Sequence, residues 1–303
     1  MNGGNTLGSF GMFGALDRHW HAHGATSLKR RFVNTVGENR QRAELLLQDD
    51  ATSFPVIYIL RDDIERLELT DSLTAREKYA LYITAHKAGD KSRAALYEHN
   101  IADLDGVIRP TQDALSWMIT TGADWDGPSA GRDDYDAAID AAVAFFADRF
   151  DDPETMKIAA GLIFRRNRLG LNVHDLAWGF FLTAEPNALS YVAKHLLSDN
   201  PADVELTCKL MSFDDPVTKD GRRALYEEYL AWLTEHRPYL YATAEHFNST
   251  SKPYSVRHDR EAKFLRREIE PRGRTPKKPL TDLEYQQLLA HRANREDITH
   301  DND

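Results

Sequence analysis

The sequence lacks the features that mark most secreted, membrane-bound and cofactor-dependent proteins. Only one of its 303 residues is cysteine, Cys208, so no disulfide can form within the chain. No window approaches the roughly 20 apolar residues of a membrane-spanning helix, and no basic region followed by an apolar run marks a signal peptide. We therefore expect a cytoplasmic protein with no membrane partner.

Recognisable catalytic and nucleotide-binding motifs are also missing. The chain has no Walker loop, no dinucleotide-binding glycine motif, no nucleophile elbow and no CxxC pair. We therefore assign no catalytic residue and expect no cofactor, apart from zinc at one histidine cluster described below.

Proline and glycine are few, and their positions mark the ends of helices. There are 12 prolines and 17 glycines, and valine and isoleucine are sparse beside alanine and leucine, which favours helix over strand. These features predict an all-α protein.

Residues 151–215 are predicted to form a run of closely spaced helices. Asp152 and Asn200 each precede a proline, and such pairs are typical of a helix start. The Asp or Asn side chain caps the first turn, and proline fits the first helical position because no backbone N–H is needed there. Starts near residues 186, 201 and 216 are 15 residues apart. The spacing favours stacked antiparallel helix pairs, as in a HEAT-like α-solenoid. An irregular helical bundle is the alternative.

Composition along the chain predicts four segments. The glycine- and aspartate-rich stretch 123–134 is the best internal boundary. The segments are a flexible N-terminal arm (1–25), an N-terminal helical part (26–122), a central helical-repeat-like part (133–248), and an irregular basic stretch with a short C-terminal helix (249–303).

Several local predictions can be tested directly. One helix is expected from residue 27 to residue 48, with Leu45 on its buried side, and Phe145 is expected in the core. Residues 54–67 have strand-like composition, but Pro55 and the acids that follow favour a helix. Capping boxes are predicted at residues 74–77 and 281–284.

Charge is unevenly distributed along the chain. The net charge is −10, and residues 49–250 carry 20 lysines and arginines against 35 acids. An acidic body argues against wrapping duplex nucleic acid. Two basic groups remain: residues 252–278, and the helix-ending triplet Arg165, Arg166 and Arg168, predicted to bind anions or to complement the helix dipole.

A histidine cluster is the candidate metal site. His19 and His23 lie one turn apart if the segment is helical, and His19, His21 and His23 share one face if it is extended. A polar cluster without metal is the favoured interpretation. The alternative is a zinc site of a metal-dependent hydrolase.

The termini carry the candidate partner-binding residues. Phe10, Met12 and Phe13 would form an apolar hook, unless the N-terminus is a disordered tail, and Arg266 and Arg267 lie in the basic stretch. We expect a non-enzymatic scaffold or adaptor whose terminal arms bind a protein partner or a second copy. RNA is a less favoured partner, as part of an RNA-binding helical solenoid.

Overall fold

Helices dominate the protein, as its composition predicts. The computed structural model describes residues 14–102, 108–123, 132–214, 218–243 and 256–299. Within these ranges the protein is all-α, and the strands form one small two-stranded sheet. None of the helices in these ranges is both long and apolar enough to cross a membrane.

The chain divides into two compact units, residues 1–146 and 147–303. This division differs from the predicted boundary at 123–134, of which residues 124–131 lie outside the described ranges. The division falls near the end of the helix Arg132–Arg149. An unbroken helix hides such a boundary from composition, because it carries no glycine or proline signal.

The first unit contains six helices and most of a seventh within the described ranges. They are α1 (Ala15–Glu38), α2 (Arg40–Leu47), α3 (Phe54–Arg66), α4 (Ala75–Lys87), α5 (Lys91–Ala102), α6 (Ile108–Gly122) and α7 (Arg132–Arg149). The capping box before α4 is present in its glutamate half, because Glu77 accepts the backbone N–H of Thr74 at 2.8 Å.

The N-terminal segment is more ordered than predicted. Residues 15–25 of the expected flexible arm belong to α1, and Leu16 and Trp20 are buried. Gly24 interrupts this helix with a positive φ of 78°, a conformation that costs glycine little. Burial of apolar side chains on both sides of Gly24 therefore outweighs the local flexibility that the glycine content suggested.

The single helix predicted over residues 27–48 is in fact two. Asn39 is extended (φ −158°), ends α1 and caps α2 by accepting the N–H of Arg42 at 2.9 Å. The break redirects the following helix, so that Leu47 is buried while Leu45 is 61% exposed. The prediction that Leu45 is buried was wrong.

The ambiguous segment 54–67 is a helix, α3, as predicted, and it forms the centre of the first unit. Its apolar side chains are buried almost all round, which explains the strand-like composition. Phe54 stacks on Tyr135 (5.3 Å between ring centroids) and meets Trp117 edge-on. Phe145 of α7 is 46% exposed, so its predicted place in the core was wrong.

The second unit contains the remaining helices of the described ranges and the sheet. They are α8 (Pro153–Arg168), α9 (His174–Phe180), α10 (Ala188–Ala193), α11 (Pro201–Met211), α12 (Lys219–His236), α13 (Arg260–Phe264) and α14 (Asp282–Thr299), with strands β1 (Leu240–Ala242) and β2 (Val256–His258).

Side-chain caps start α8 and α11 where the sequence predicts. Asp152 accepts the N–H of Thr155 at 2.9 Å, and Asn200 accepts that of Ala202 at 3.0 Å. The HEAT-like arrangement is not confirmed. Helices α9 and α10 have only seven and six residues, and α8 packs against α9, α10 and α11, so one helix serves as the centre for several.

The C-terminal part begins with the antiparallel hairpin of β1 and β2, in which Tyr241 pairs with Arg257. Helix α14 then spans 18 residues and is longer than the short helix predicted. Its capping box is present, because Thr281 N donates to Glu284 at 2.8 Å and Glu284 N donates back to the Thr281 hydroxyl at 3.3 Å.

Candidate partner-binding surface

Helix α14 is held to the segment around α13 by two bidentate ion pairs. Arg267 donates to both carboxylate oxygens of Glu284 at 2.5 and 2.9 Å. Arg292 donates to both oxygens of Glu261 at 2.8 and 2.7 Å. Two-point arginine–carboxylate pairs define orientation as well as distance, so α14 is fixed in one rotation about its own axis.

The pairing strongly favours the ionised form of Glu284. The Arg267 guanidinium, together with the backbone N–H and hydroxyl of Thr281, lowers the pKa of Glu284 to about 2. Arg292 likewise lowers the pKa of Glu261. Both contacts are therefore present at neutral pH.

Apolar contacts add little to this attachment. The ring of Phe264 stacks on that of His291, with centroids 4.1 Å apart and planes 10° apart. Among the described side chains of α14, only Leu288 is buried. Most of the side chains described on α14, from residue 282 to residue 293, therefore face solvent.

Large apolar side chains lie on that exposed surface. Leu283 is 69%, Tyr285 53% and Leu289 41% exposed, and Phe264 nearby on α13 is 49% exposed. Tyr285, Leu289 and the exposed Ala293 follow one another at intervals of four residues, so they form one stripe along the helix. We call Tyr285, Leu289 and Ala293 the α14 stripe. Grouped exposed apolar side chains are typical of interaction sites.

The structure describes two of the five predicted partner-binding residues. Phe10, Met12 and Phe13 lie outside the described residues. Arg266 is exposed and adopts a left-handed backbone conformation (φ 52°). Arg267 pairs with Glu284 and so helps to hold α14 in place.

None of the surface residues Tyr285, Phe264 and Ala293 was predicted from the sequence. The four-residue spacing of Tyr285, Leu289 and Ala293 is visible in the sequence. Whether that face is buried or exposed depends on what α14 packs against, which the sequence does not state.

Two of the three arginines predicted to bind anions at the end of α8 are engaged within the second unit. Arg166 is only 2% exposed. Arg168 pairs with the buried carboxylate of Asp203 at 2.9 Å. Arg166 and Arg168 therefore contribute to the packing of the second unit.

The basic stretch 252–278 is partly neutralised within the protein. At least five of its ten cations pair with carboxylates in the described part of the chain: Lys263 with Glu235, Arg267 with Glu284, Arg272 with Asp148, Arg274 with Asp259, and Lys277 with Glu268. This pairing leaves less positive charge for a phosphate backbone than the count of residues suggests.

The three histidines do not converge on one point. The rings of His19 and His23 are 4.6 Å apart, but that of His21 lies against Trp20. Both ring nitrogens of His19 have partners: Nδ1 is 2.8 Å from Arg31 and Nε2 is 3.1 Å from the Ser27 hydroxyl. In the part of the chain that the structure describes, no three histidine, cysteine or acidic side chains are placed to hold a metal. The geometry does not support the predicted zinc site.

The second unit also contains an open cleft of about 990 Å³. Its charged lining is mostly paired: Arg237 lies 3.6 Å from Glu185, and Lys277 lies 3.2 Å from Glu268. These pairs leave little unbalanced charge with which to select a ligand.

Comparison with known proteins adds no functional information. No protein family, no curated protein and no solved structure matches the chain.

Proposed function

We propose that the protein is a non-enzymatic helical scaffold that associates with a second copy of itself through the α14 stripe. The observation that carries the proposal is the exposure of Tyr285, Leu289 and Ala293 on a helix whose orientation is fixed by two bidentate ion pairs. A rigid helix with an exposed apolar stripe loses little conformational freedom on binding.

The stripe is complementary to itself. Leu289 lies near the middle of α14, between Tyr285 and Ala293. In an antiparallel pair with its twofold axis at Leu289, the large Tyr285 ring of each copy packs against the small Ala293 of the other. Antiparallel packing also aligns the helix dipoles favourably. One helix pair buries less than the ~1,600 Å² of a standard interface, so we expect a dissociation constant on the order of micromolar.

The two alternatives have less support. A metal-dependent hydrolase at His19, His21 and His23 requires His21 to join the other two rings. An RNA-binding solenoid requires free cations in residues 252–278, where half are ion-paired.

Sedimentation equilibrium of the full chain tests the proposal. We expect a reversible monomer–dimer transition. Leu289→Glu places two like charges together at the twofold axis and should abolish the dimer. Leu45→Glu is the matched control, because Leu45 is an exposed leucine of the first unit and should have no effect. A wild-type protein that remains monomeric at about 100 times the expected dissociation constant, or equal loss of dimer in both variants, would refute self-association through α14.

A further inference from the structure

Helices α1 and α2 of the first unit form the walls of a basic groove of about 400 Å³. This volume lies within the range of small-molecule sites. The polar lining consists of His19, Ser27, Arg30, Arg31, Asn34, Thr35, Glu38 and Arg42. We call this set of residues the α1–α2 groove.

The groove has an excess of positive charge. Arg30, Arg31 and Arg42 are exposed, and no carboxylate in the described ranges lies within ion-pair distance of any of them. Glu38 is the one acid among the lining residues. Three arginines and one glutamate leave two positive charges in a protein whose overall charge is −10.

The kink at Gly24 forms one end of the groove. It brings His19 against residues 8 and 12 positions later, where Arg31 donates to Nδ1 at 2.8 Å and the Ser27 hydroxyl lies 3.1 Å from Nε2. Because Arg31 has only donors, Nδ1 accepts and the proton of neutral His19 is on Nε2. The Ser27 oxygen then accepts, so its own hydroxyl proton can be donated to a ligand.

The neutral state of His19 has a physical cause. Burial and the positive charges of Arg31 and His23 lower the pKa of His19. The groove therefore contributes two fixed positive charges at neutral pH, and the histidine acts as a support for Arg31.

We propose that the α1–α2 groove binds a phosphate group, either as inorganic phosphate or as the monoester of a small hydroxylated molecule. A phosphate monoester carries close to two negative charges at pH 7, which balances the groove. Planar guanidinium groups bind phosphate oxygens at two points. Glu38 and Asn34 offer acceptors for hydroxyls on the rest of an ester.

Isothermal titration calorimetry on the full chain tests this site, with inorganic phosphate and glycerol 3-phosphate as probes. The double variant Arg30→Gln/Arg42→Gln retains the contact between Arg31 and His19, and we expect it to weaken binding at least tenfold. Arg223→Gln, which changes an exposed arginine of α12, should bind like the wild type. Glu38→Gln removes the opposing charge and should tighten phosphate binding severalfold.

The outcomes separate the two sources of phosphate. Tighter binding of glycerol 3-phosphate than of inorganic phosphate identifies an ester as the ligand, and equal or weaker binding identifies free phosphate. The proposal is overturned if neither probe gives saturable heat up to about 10 mM, or if the double variant binds as tightly as Arg223→Gln.

Discussion

The guanidinium of Arg168 at the end of α8 lies 2.9 Å from the carboxylate of Asp203 in the first turn of α11. Asp203 is 1% exposed, and the same oxygen accepts the Ser198 hydroxyl at 2.7 Å. The pair therefore connects two helices of the second unit through a buried charge.

Replacing Arg168 should destabilise the protein. Arg168→Gln leaves the buried Asp203 without its charged partner, and we expect the free energy of unfolding to fall by about 2 kcal/mol. Urea denaturation measures the change. The control Arg223→Gln alters an exposed arginine and should stay within about 0.5 kcal/mol of the wild type. Equal losses in the two variants would show that the pair contributes nothing specific.

The ion pair between Arg267 and Glu284, which helps to hold α14, should be lost at acid pH. The pKa of Glu284 is lowered to about 2 from an ordinary value of 4.5. A lowered pKa gives stabilisation that is complete above the ordinary value and is lost as the pH falls toward the folded value. A carbon-13 NMR titration of the Glu284 carboxyl should therefore show an inflection near pH 2. In Arg267→Gln it should move toward 4.5, and an unchanged inflection would contradict the assigned role of Arg267.

A buried tyrosine should stabilise the first unit through its hydroxyl. Tyr97 is fully buried and donates to Glu65 at 2.7 Å, while Arg93 holds the same carboxylate at 2.9 Å. Tyr97→Phe removes one hydrogen bond but leaves Glu65 paired, so we expect a loss of about 1 kcal/mol. Thermal unfolding measures it. The control Tyr82→Phe, at a half-buried position, should leave the stability nearly unchanged. If Tyr97→Phe is equally stable, the Tyr97 hydroxyl does not stabilise the first unit.

Two glycines of α1 should respond oppositely to alanine. An added Cβ meets no atom within 4 Å at Gly24 or Gly37, but Gly24 has a φ of 78°. Gly24→Ala should cost about 1 to 2 kcal/mol because alanine is strained there. Gly37→Ala should add about 0.5 kcal/mol by restricting the unfolded chain. Denaturant midpoints measure both changes, and a stabilising Gly24→Ala would contradict the positive φ at Gly24.

Local sequence signals predicted the helical class and many helix starts correctly. The caps at Asp152 and Asn200, the box at Thr281 and the helix over residues 54–67 depend on hydrogen bonds and apolar spacing within a few residues. Such short-range interactions can be read from the order of residues alone.

Charge and composition predicted the candidate binding sites less reliably than they predicted the helices. Arg166 and Arg168 belong to a basic group in the sequence, yet Arg166 is buried and Arg168 pairs with Asp203. No sequence signal pointed to Arg30, Arg31 and Arg42, because their convergence requires both the kink at Gly24 and the break at Asn39. A count of cations does not reveal which of them already have carboxylate partners.

The sequence by itself determined the class of secondary structure, the absence of disulfides and the positions of the main helix starts, since these depend on neighbouring residues. Only the tertiary structure decided which charges are neutralised, that α14 shows its apolar stripe to solvent, and that α1 and α2 enclose a basic groove. These features depend on contacts between residues distant in the chain, and packing selects those contacts from many that the same local pattern allows.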